Sequence, residues 1–232
     1  MEIKDKKNIL KNINTPGEIR LELGCGNRKR HKDAVGIDML EYESVDIQGD
    51  VYEILKKIPD NRVSAVYSYH FFEHINDVEK LVQEVARVLV DDGLFIVVVP
   101  HFSNPYFYSD YTHLNHFGLY SFSYFSQDDI FSRTVPHYQK TIRFKLLNTK
   151  LIFKSPKPFY FRWGLKKFFQ LFFNINTYLK ELYEEFFCYL IPCYEIKYIM
   201  KKIPEKSKKV VFAGNENIIT QQIWQDGCQQ QA

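Results

Sequence analysis

Apolar runs and one helical stripe alternate along residues 18–100. Four short runs, EIRLELGC, AVGIDM, SVDIQGD and SAVYSY, predict strands, and the continuous run LFIVVVP predicts a fifth strand buried on both faces. Between the last two, apolar residues from Val78 to Leu89 recur at helical spacing and predict a helix, capped by Asn76 or Asp77 and ended by Gly93. Strands that alternate with helices predict a doubly wound, mostly parallel α/β sheet.

The pattern becomes irregular and aromatic after Pro100. The segment KTIRFKLLNTKLIFK predicts a strand or hairpin arm, residues 164–190 predict one or two helices, and CYEIKYIMKKI predicts a last strand. We therefore predict one domain over residues 1–203. Its parts are a core at 18–155, a helical, aromatic-rich insertion at 156–190 and a last strand at 194–203. Residues 204–232 are mostly polar and are predicted to form a C-terminal tail.

Composition narrows the class of protein only slightly. Of the 232 residues, 45% are hydrophobic and 25% are charged, as in an ordinary globular domain. The net charge of +3 is too small to indicate nucleic-acid binding, so we expect no nucleic-acid partner. The four cysteines form no Cys-x-x-Cys pair, and neither a signal peptide nor a membrane-spanning run stands out. These features favour a cytoplasmic protein.

The most informative segment is LELGCGNRKRHKDAVGIDM, in which one strand runs into a glycine turn and the next ends on Asp38. Ligands of open parallel sheets bind over the carboxyl ends of the strands, where glycines allow close approach and an acid can hold a ribose diol. A dinucleotide needs a third glycine and a full helix, but Lys29 occupies the glycine position and the crossover is short. S-adenosylmethionine carries no phosphate, so the pattern favours it, although a turn that merely packs stays an alternative.

From Ile19 to Tyr124 the chain resembles class I S-adenosylmethionine-dependent methyltransferases, particularly a small single-domain group. The matching segments are LELGCG, VGIDM, VDIQGDV, VYSYHFFEHI, LVQEVARVLVDDGLFIVVVPH and SDYTHLNHF. The resemblance implies a seven-stranded, mostly parallel Rossmann-like sheet with one antiparallel strand near the C-terminus. The chain departs from the family in lacking a third glycine. It also has residues 91–93 (DDG) in place of Pro-Gly-Gly and residues 110–113 (DYTH) in place of Asp-Pro-Thr-His.

The resemblance also implies which residues contact S-adenosylmethionine. Gly24 and Gly26 would lie under its methionine part, and Asp38 would hold its ribose hydroxyls. Residues 50–51 would face the adenine, and residues 69–70 would flank the sulfonium. The full implied set is Glu22, Gly24, Cys25, Gly26, Asp38, Met39, Asp50, Val51, Tyr69 and His70.

The stretch YHFFEHI spells H-x-x-E-H at His70, Glu73 and His74, a spacing that one class of zinc peptidases uses. A zinc site needs both histidines on one face of a helix, but His70 follows a predicted strand end, so the pair is expected to straddle a strand-to-helix turn. We therefore predict no metal site and keep a zinc hydrolase only as an alternative. Glu73 is interpreted as a polar anchor near the start of the helix.

Three histidines follow the fifth strand, where substrates bind in this architecture: His101, His113 and His116. Methyl transfer is a displacement at a sulfonium carbon, which needs alignment and desolvation, and a hydroxyl acceptor also benefits from a general base. We predict His113 as that base and His116 as the second candidate. Hydrogen bonding to the backbone and a three-histidine metal site are the alternatives.

The predicted function is transfer of a methyl group from S-adenosylmethionine to a hydroxyl of a small molecule or glycan. The alternatives are a non-catalytic S-adenosylmethionine-binding module and a dinucleotide-binding oxidoreductase. Residues 156–190 are basic and aromatic, so a peripheral membrane contact is one hypothesis for them. A packed cap over the substrate pocket and a dimer contact are the others, and the sequence indicates no oligomeric state.

Overall fold

The computed structural model describes residues 2–127, 130–138, 142–155 and 158–204. Within these ranges it contains one eight-stranded sheet, in the spatial order β1-β4-β3-β2-β5-β6-β8-β7. The strands are β1 (Lys4–Asp5), β2 (Arg20–Leu23), β3 (Val35–Asp38), β4 (Ile47–Gln48), β5 (Val63–Tyr69), β6 (Leu89–Pro100), β7 (Phe144–Ile152) and β8 (Glu195–Lys202).

Strands β2 to β6 run parallel, and β8 runs antiparallel between β6 and β7. This confirms the predicted mostly parallel sheet with an antiparallel strand near the C-terminus. The sequence did not predict the two-residue strand β1, which pairs antiparallel with β4 at the edge of the sheet. The division into a domain at 1–203 and a tail stays a prediction, because residues 205–232 lie outside the described ranges.

The helices are α1 (Val51–Leu55), α2 (Val78–Val88), α3 (Tyr160–Phe173) and α4 (Thr177–Leu182), and a π-helical turn (Tyr183–Phe187) follows α4. Helix α2 begins at Asp77, one of the two predicted caps, whose carboxylate accepts a hydrogen bond from Lys80 N at 2.9 Å. The prediction that Gly93 ends this helix is wrong. Leu89 is already extended and pairs with Val63, so tertiary strand pairing ends the helix four residues earlier.

The core lies mainly on one face of the sheet. Phe95, Val97 and Val99 of β6 are fully buried there, against the apolar stripe of α2. On the other face, Leu94 is 37% exposed and Ile96 is only half-buried. The prediction that LFIVVVP is buried on both faces is therefore wrong for its first residues. The crossover between β2 and β3 forms no helix that could cover this second face of the sheet. Among the described residues, a small apolar cluster lies on this face.

The helices of the predicted insertion lie between β7 and β8 in the chain. Phe173 and Tyr183 anchor them, because both rings are buried and pack with Phe153 of the domain core. Most other apolar side chains of α3 are exposed, among them Phe161 at 84% and Leu171 at 74%. None of the helices within the described ranges is long and apolar enough to cross a bilayer.

Candidate active site

The glycine turn follows β2 and rests on the end of β3. Gly24 N donates a hydrogen bond to Ile37 O at 2.9 Å, and both Gly24 and Gly26 have left-handed φ angles, of +66° and +56°. A Cβ on Gly24 would overlap the ring of Phe71 at 2.4 Å, whereas a Cβ on Gly26 would meet no described atom within 4 Å. Gly24 is therefore required by the packing of Phe71, and the space open to a ligand lies over Gly26.

Asp38 ends β3 with its carboxylate turned toward the glycine turn. Its Oδ2 accepts a hydrogen bond from Gly26 N at 2.8 Å, and its Oδ1 accepts one from Leu40 N at 2.9 Å. Each carboxylate oxygen has two lone pairs, so both oxygens can still accept a bond from a hydroxyl group. Ser44 Oγ donates to Gly26 O at 2.5 Å and fixes the turn from the other side. A fixed carboxylate thus stands beside open main chain at the rim of the sheet.

The short crossover after the glycine turn folds around a buried carboxylate instead of forming a helix. Glu22 accepts hydrogen bonds from Arg30 N at 2.9 Å and His31 N at 2.8 Å. The His31 ring stacks on Tyr67 with centroids 3.6 Å apart, and its Nε2 lies 2.9 Å from the hydroxyl of Tyr69. The crossover therefore contains no full helix, in agreement with its short length in the sequence.

His70 follows directly after β5 and is held between two acidic side chains. Its φ of +54° is uncommon for a residue other than glycine. Its Nε2 donates to Glu195 Oε1 at 2.9 Å, and its Nδ1 lies 3.4 Å from Glu73 Oε1. Burial alone lowers the pKa of His70, but the two carboxylates outweigh burial and raise that pKa to about 9. His70 is therefore positively charged at neutral pH, and Lys154 also forms an ion pair with Glu195.

Glu73, His74 and His113 form a cluster beside this ion pair. Glu73 lies in a 3₁₀ turn (Phe72–His74), and its side chain is fully buried. Neither of its carboxylate oxygens accepts a hydrogen bond from any residue that the structure describes. One potential ligand atom from each of the three side chains lies within 4.8 Å of the other two. The interpretation of Glu73 as a helix anchor is wrong, because Asp77 caps α2.

Comparison with known proteins relates part of the chain to a methyltransferase domain. The sequence of residues 21–97 matches the family model described as a methyltransferase domain. Among solved structures, the chain is similar to a SAM-dependent methyltransferase from Archaeoglobus fulgidus, with 18% identity and a TM-score of 0.52 over 85% of this chain and 92% of that chain.

The match over residues 21–97 and the shared fold support a class I S-adenosylmethionine-dependent methyltransferase. The sequence match gives the activity, and the Archaeoglobus structure shares the fold. The methyltransferase is therefore an enzyme whose methyl donor is S-adenosylmethionine, and the main chain beside Asp38 is open to a ligand.

Two further solved structures have TM-scores below 0.5. The YcgJ protein from Bacillus subtilis has 18% identity and a TM-score of 0.48, over 85% of this chain and 97% of that chain. An S-adenosylmethionine-dependent methyltransferase from Mesorhizobium loti has 14% identity and a TM-score of 0.44, over 86% and 98% of the two chains. Comparison with the curated proteins gives no match.

The residues predicted to contact the cofactor are not equally accessible in the methyltransferase. The side chains of Glu22, Cys25 and Val51 are buried, so they offer a ligand little beyond their main chain. Burial raises the pKa of the Cys25 thiol to about 12, which keeps it neutral. Asp50 caps α1 through Oδ1, which leaves Oδ2 able to accept a further hydrogen bond. Met39 is exposed beyond the end of β3.

The three histidines after the fifth strand do not form one site in the methyltransferase. His113 joins Glu73 and His74, whereas His116 is exposed and packs on the ring of Phe107. His101 is fully buried, with its Nδ1 2.8 Å from Ser103 Oγ. The alternative of a three-histidine metal site therefore has no geometric support among the described residues.

Sequence reasoning missed Glu195 and Lys154, which complete the charged site around His70. Glu195 lies 125 residues after His70, and along β8 it alternates with the core-facing residues Ile196 and Tyr198. That alternation predicts an exposed side chain, whereas Glu195 is buried. No local signal could have paired it with the end of β5.

Proposed function

We propose that the enzyme transfers the methyl group to a hydroxyl oxygen of a small molecule or glycan. A cleft of about 750 Å³ is the candidate acceptor pocket, although neither Asp38 nor His113 is among its lining residues. It opens next to Phe102, two residues beyond β6, and α4 with the π-helical turn forms one of its walls. Aromatic rings and carboxylates line it, including Phe102, Tyr120, Tyr178, Glu181 and Glu184, together with the guanidinium of Arg133. Aromatic faces stack on apolar sugar faces, and carboxylates accept hydrogen bonds from hydroxyl groups.

The donor half of the proposed site is the rim formed by Asp38 and Gly26. The Asp38 carboxylate would hold the ribose hydroxyls, and the main chain at Gly26 would leave room for the methionine part. The other predicted contacts, Tyr69 and His70 among them, belong to the same proposal. When bound, S-adenosylmethionine supplies a methyl carbon activated by a positively charged sulfur.

Deprotonation of the acceptor is assigned to His113, with His116 as the second candidate. His113 Nδ1 lies 2.9 Å from Phe107 O, so the tautomer that satisfies this carbonyl leaves the lone pair on Nε2. Asp110 Oδ2 lies 3.6 Å from Nε2 and can stabilise a protonated ring. The acceptor oxygen would bond to the methyl carbon as the carbon–sulfur bond breaks, and its proton would pass to His113.

The test is a turnover assay with methyl-labelled S-adenosylmethionine and panels of sugars, nucleotide sugars and small alcohols. We expect S-adenosylhomocysteine and a labelled ether product. Replacement of His113 by Ala should lower kcat by about 10²–10⁴-fold without changing the dissociation constant of the cofactor. A product methylated on nitrogen would contradict the acceptor class, and tight cofactor binding without any product would favour the non-catalytic binding module.

We also propose that residues 156–190 make a peripheral contact with an anionic membrane surface. The exposed rings and aliphatic side chains of α3, with Arg162 among them, have the composition of an interfacial helix. Within residues 156–190, α3 would contact the membrane, whereas α4 and the π-helical turn line the cleft. With a cytoplasmic location, which stays a prediction, the surface would be an inner leaflet.

A further inference from the structure

The fully buried Glu73 carboxylate has no hydrogen bond to compensate it. Burying a carboxylate is costly unless charges and hydrogen bonds stabilise both oxygens. His70 supplies a nearby charge at 3.4 Å, but neither oxygen of Glu73 accepts a hydrogen bond from a described residue. One potential ligand atom from each of Glu73, His74 and His113 lies within 4.8 Å of the other two.

We propose that Glu73, His74 and His113 bind a divalent transition-metal ion. Both histidines are oriented for this role by contacts through Nδ1. His113 Nδ1 lies 2.9 Å from Phe107 O, and His74 Nδ1 lies 3.0 Å from Thr112 Oγ1 and 3.3 Å from Thr112 O. A proton on each Nδ1 satisfies these oxygens and leaves the lone pair on Nε2. Metal-binding histidines are commonly held by such a second contact.

The ligand set indicates the class of ion. Two imidazole nitrogens and one carboxylate suit Zn²⁺, Fe²⁺, Co²⁺ and related ions, whereas Mg²⁺ prefers oxygen ligands throughout. Three protein ligands leave at least one coordination position for water or a substrate oxygen. The set differs from the H-x-x-E-H pattern, because His113 takes the place of His70. His113 lies 40 positions after Glu73 in the sequence. The proposed metal site therefore also contradicts the prediction, made from the sequence, that the chain has no metal site.

The proposed ion can act in the proposed methyl transfer. A hydroxyl bound to a divalent ion has a lowered pKa, so the ion would take over the proton-removing role assigned to His113, and the proton would leave to water. The role in methyl transfer rests on the proposed function. The binding site itself rests only on the geometry of the three side chains.

The test is metal binding by the full chain, prepared without a histidine tag and stripped with a chelator. Titration with Co²⁺ should give visible absorption that saturates at one ion per chain, and Zn²⁺ but not Mg²⁺ should raise Tm. Glu73→Gln and His113→Ala should each weaken Co²⁺ binding by more than about 100-fold. The matched control is His137→Ala, which removes an exposed histidine outside the cluster and should bind like the wild type.

Each outcome decides the proposal independently of turnover. A second readout for each variant, beside its Co²⁺ affinity, is the difference between its metal-loaded and metal-free Tm. A general loss of stability lowers both Tm values and leaves this difference unchanged. Unchanged Co²⁺ binding in Glu73→Gln, or equal weakening by His137→Ala, overturns the site. Stoichiometric binding with no methyl transfer would keep the site and remove only the proposed function.

Discussion

Asp38 is the side chain on which the proposed cofactor site depends most. Its carboxylate holds Gly26 N at 2.8 Å and keeps acceptor capacity for the ribose. We expect Asp38→Ala to weaken S-adenosylmethionine binding by about 1–3 kcal/mol, because the ribose hydroxyls lose their charged partner. Isothermal titration calorimetry measures this, and an unchanged dissociation constant would place the ribose elsewhere.

The control for Asp38 is an aspartate outside the site. Asp33 is exposed and binds Arg20 at 2.5 Å, so Asp33→Ala removes the same side chain without touching the glycine turn. It should leave cofactor affinity unchanged. Comparable weakening in both variants would indicate a general loss of folding rather than a lost ribose contact.

Individual site residues could be predicted from the sequence where the residues of the site lie close together along the chain. Asp38 could be found because it follows a strand in the same segment as the glycine turn. Glu73 was visible as a residue but not as a buried group, because residues distant in the sequence contact it: the amides of Leu114 and Asn115 donate to its main-chain oxygen. His74 and His113 meet only after a long excursion of the chain, so their cluster had no sequence signature.

At the scale of elements, the two glycines of the turn should respond differently to alanine. Gly24→Ala places a Cβ 2.4 Å from the ring of Phe71, whereas Gly26→Ala points into open space. Overpacking adds about 1–3 kcal/mol of destabilisation to the backbone strain that both variants share. Urea unfolding should therefore show Gly24→Ala as the less stable variant.

Gly26→Ala serves as the matched partner in that comparison. Its methyl group enters the space assigned to the ligand. We therefore expect a larger loss in the free energy of cofactor binding than in the free energy of unfolding. Equal losses of stability would show that Phe71 yields easily, and the packing argument for Gly24 would then be wrong.

The elements themselves were largely predictable because their patterns are local. The stripe of α2 and the apolar runs of β5 and β6 identified their elements from neighbouring residues alone. The helix end was misplaced because Leu89 pairs with Val63, a contact that no window around the helix contains. Strand β1 was missed because Lys4–Asp5 carries no hydrophobic pattern and is defined only by its pairing with β4.

The surface of the whole molecule is unusually apolar along α3. Anionic vesicles should therefore bind the protein, and Phe161→Ser with Leu171→Ser should weaken binding by removing two of its most exposed apolar side chains. Flotation with phosphatidylglycerol vesicles measures this. The matched control, Tyr138→Ser, removes a ring that is 74% exposed and lies outside residues 156–190.

Three results of the flotation experiment would count against the membrane contact. Undiminished flotation of the double variant would show that α3 is not the contact. Flotation that is equally strong on neutral vesicles would exclude the proposed role of basic residues. A concentration-dependent dimer that is lost in the double variant would assign the face to a second copy of the chain instead.

The position of β8 has a consequence for synthesis on the ribosome. Among the described strands this one is made last, yet it lies between β6 and β7, and its first residue supplies the carboxylate that binds His70. A nascent chain can therefore assemble the half of the sheet that carries Asp38 while β6 still lacks its neighbour on one side. Termination of the chain before Glu195 should yield a polypeptide that lacks this carboxylate and leaves β6 with an unpaired edge, which favours recognition by chaperones and proteases.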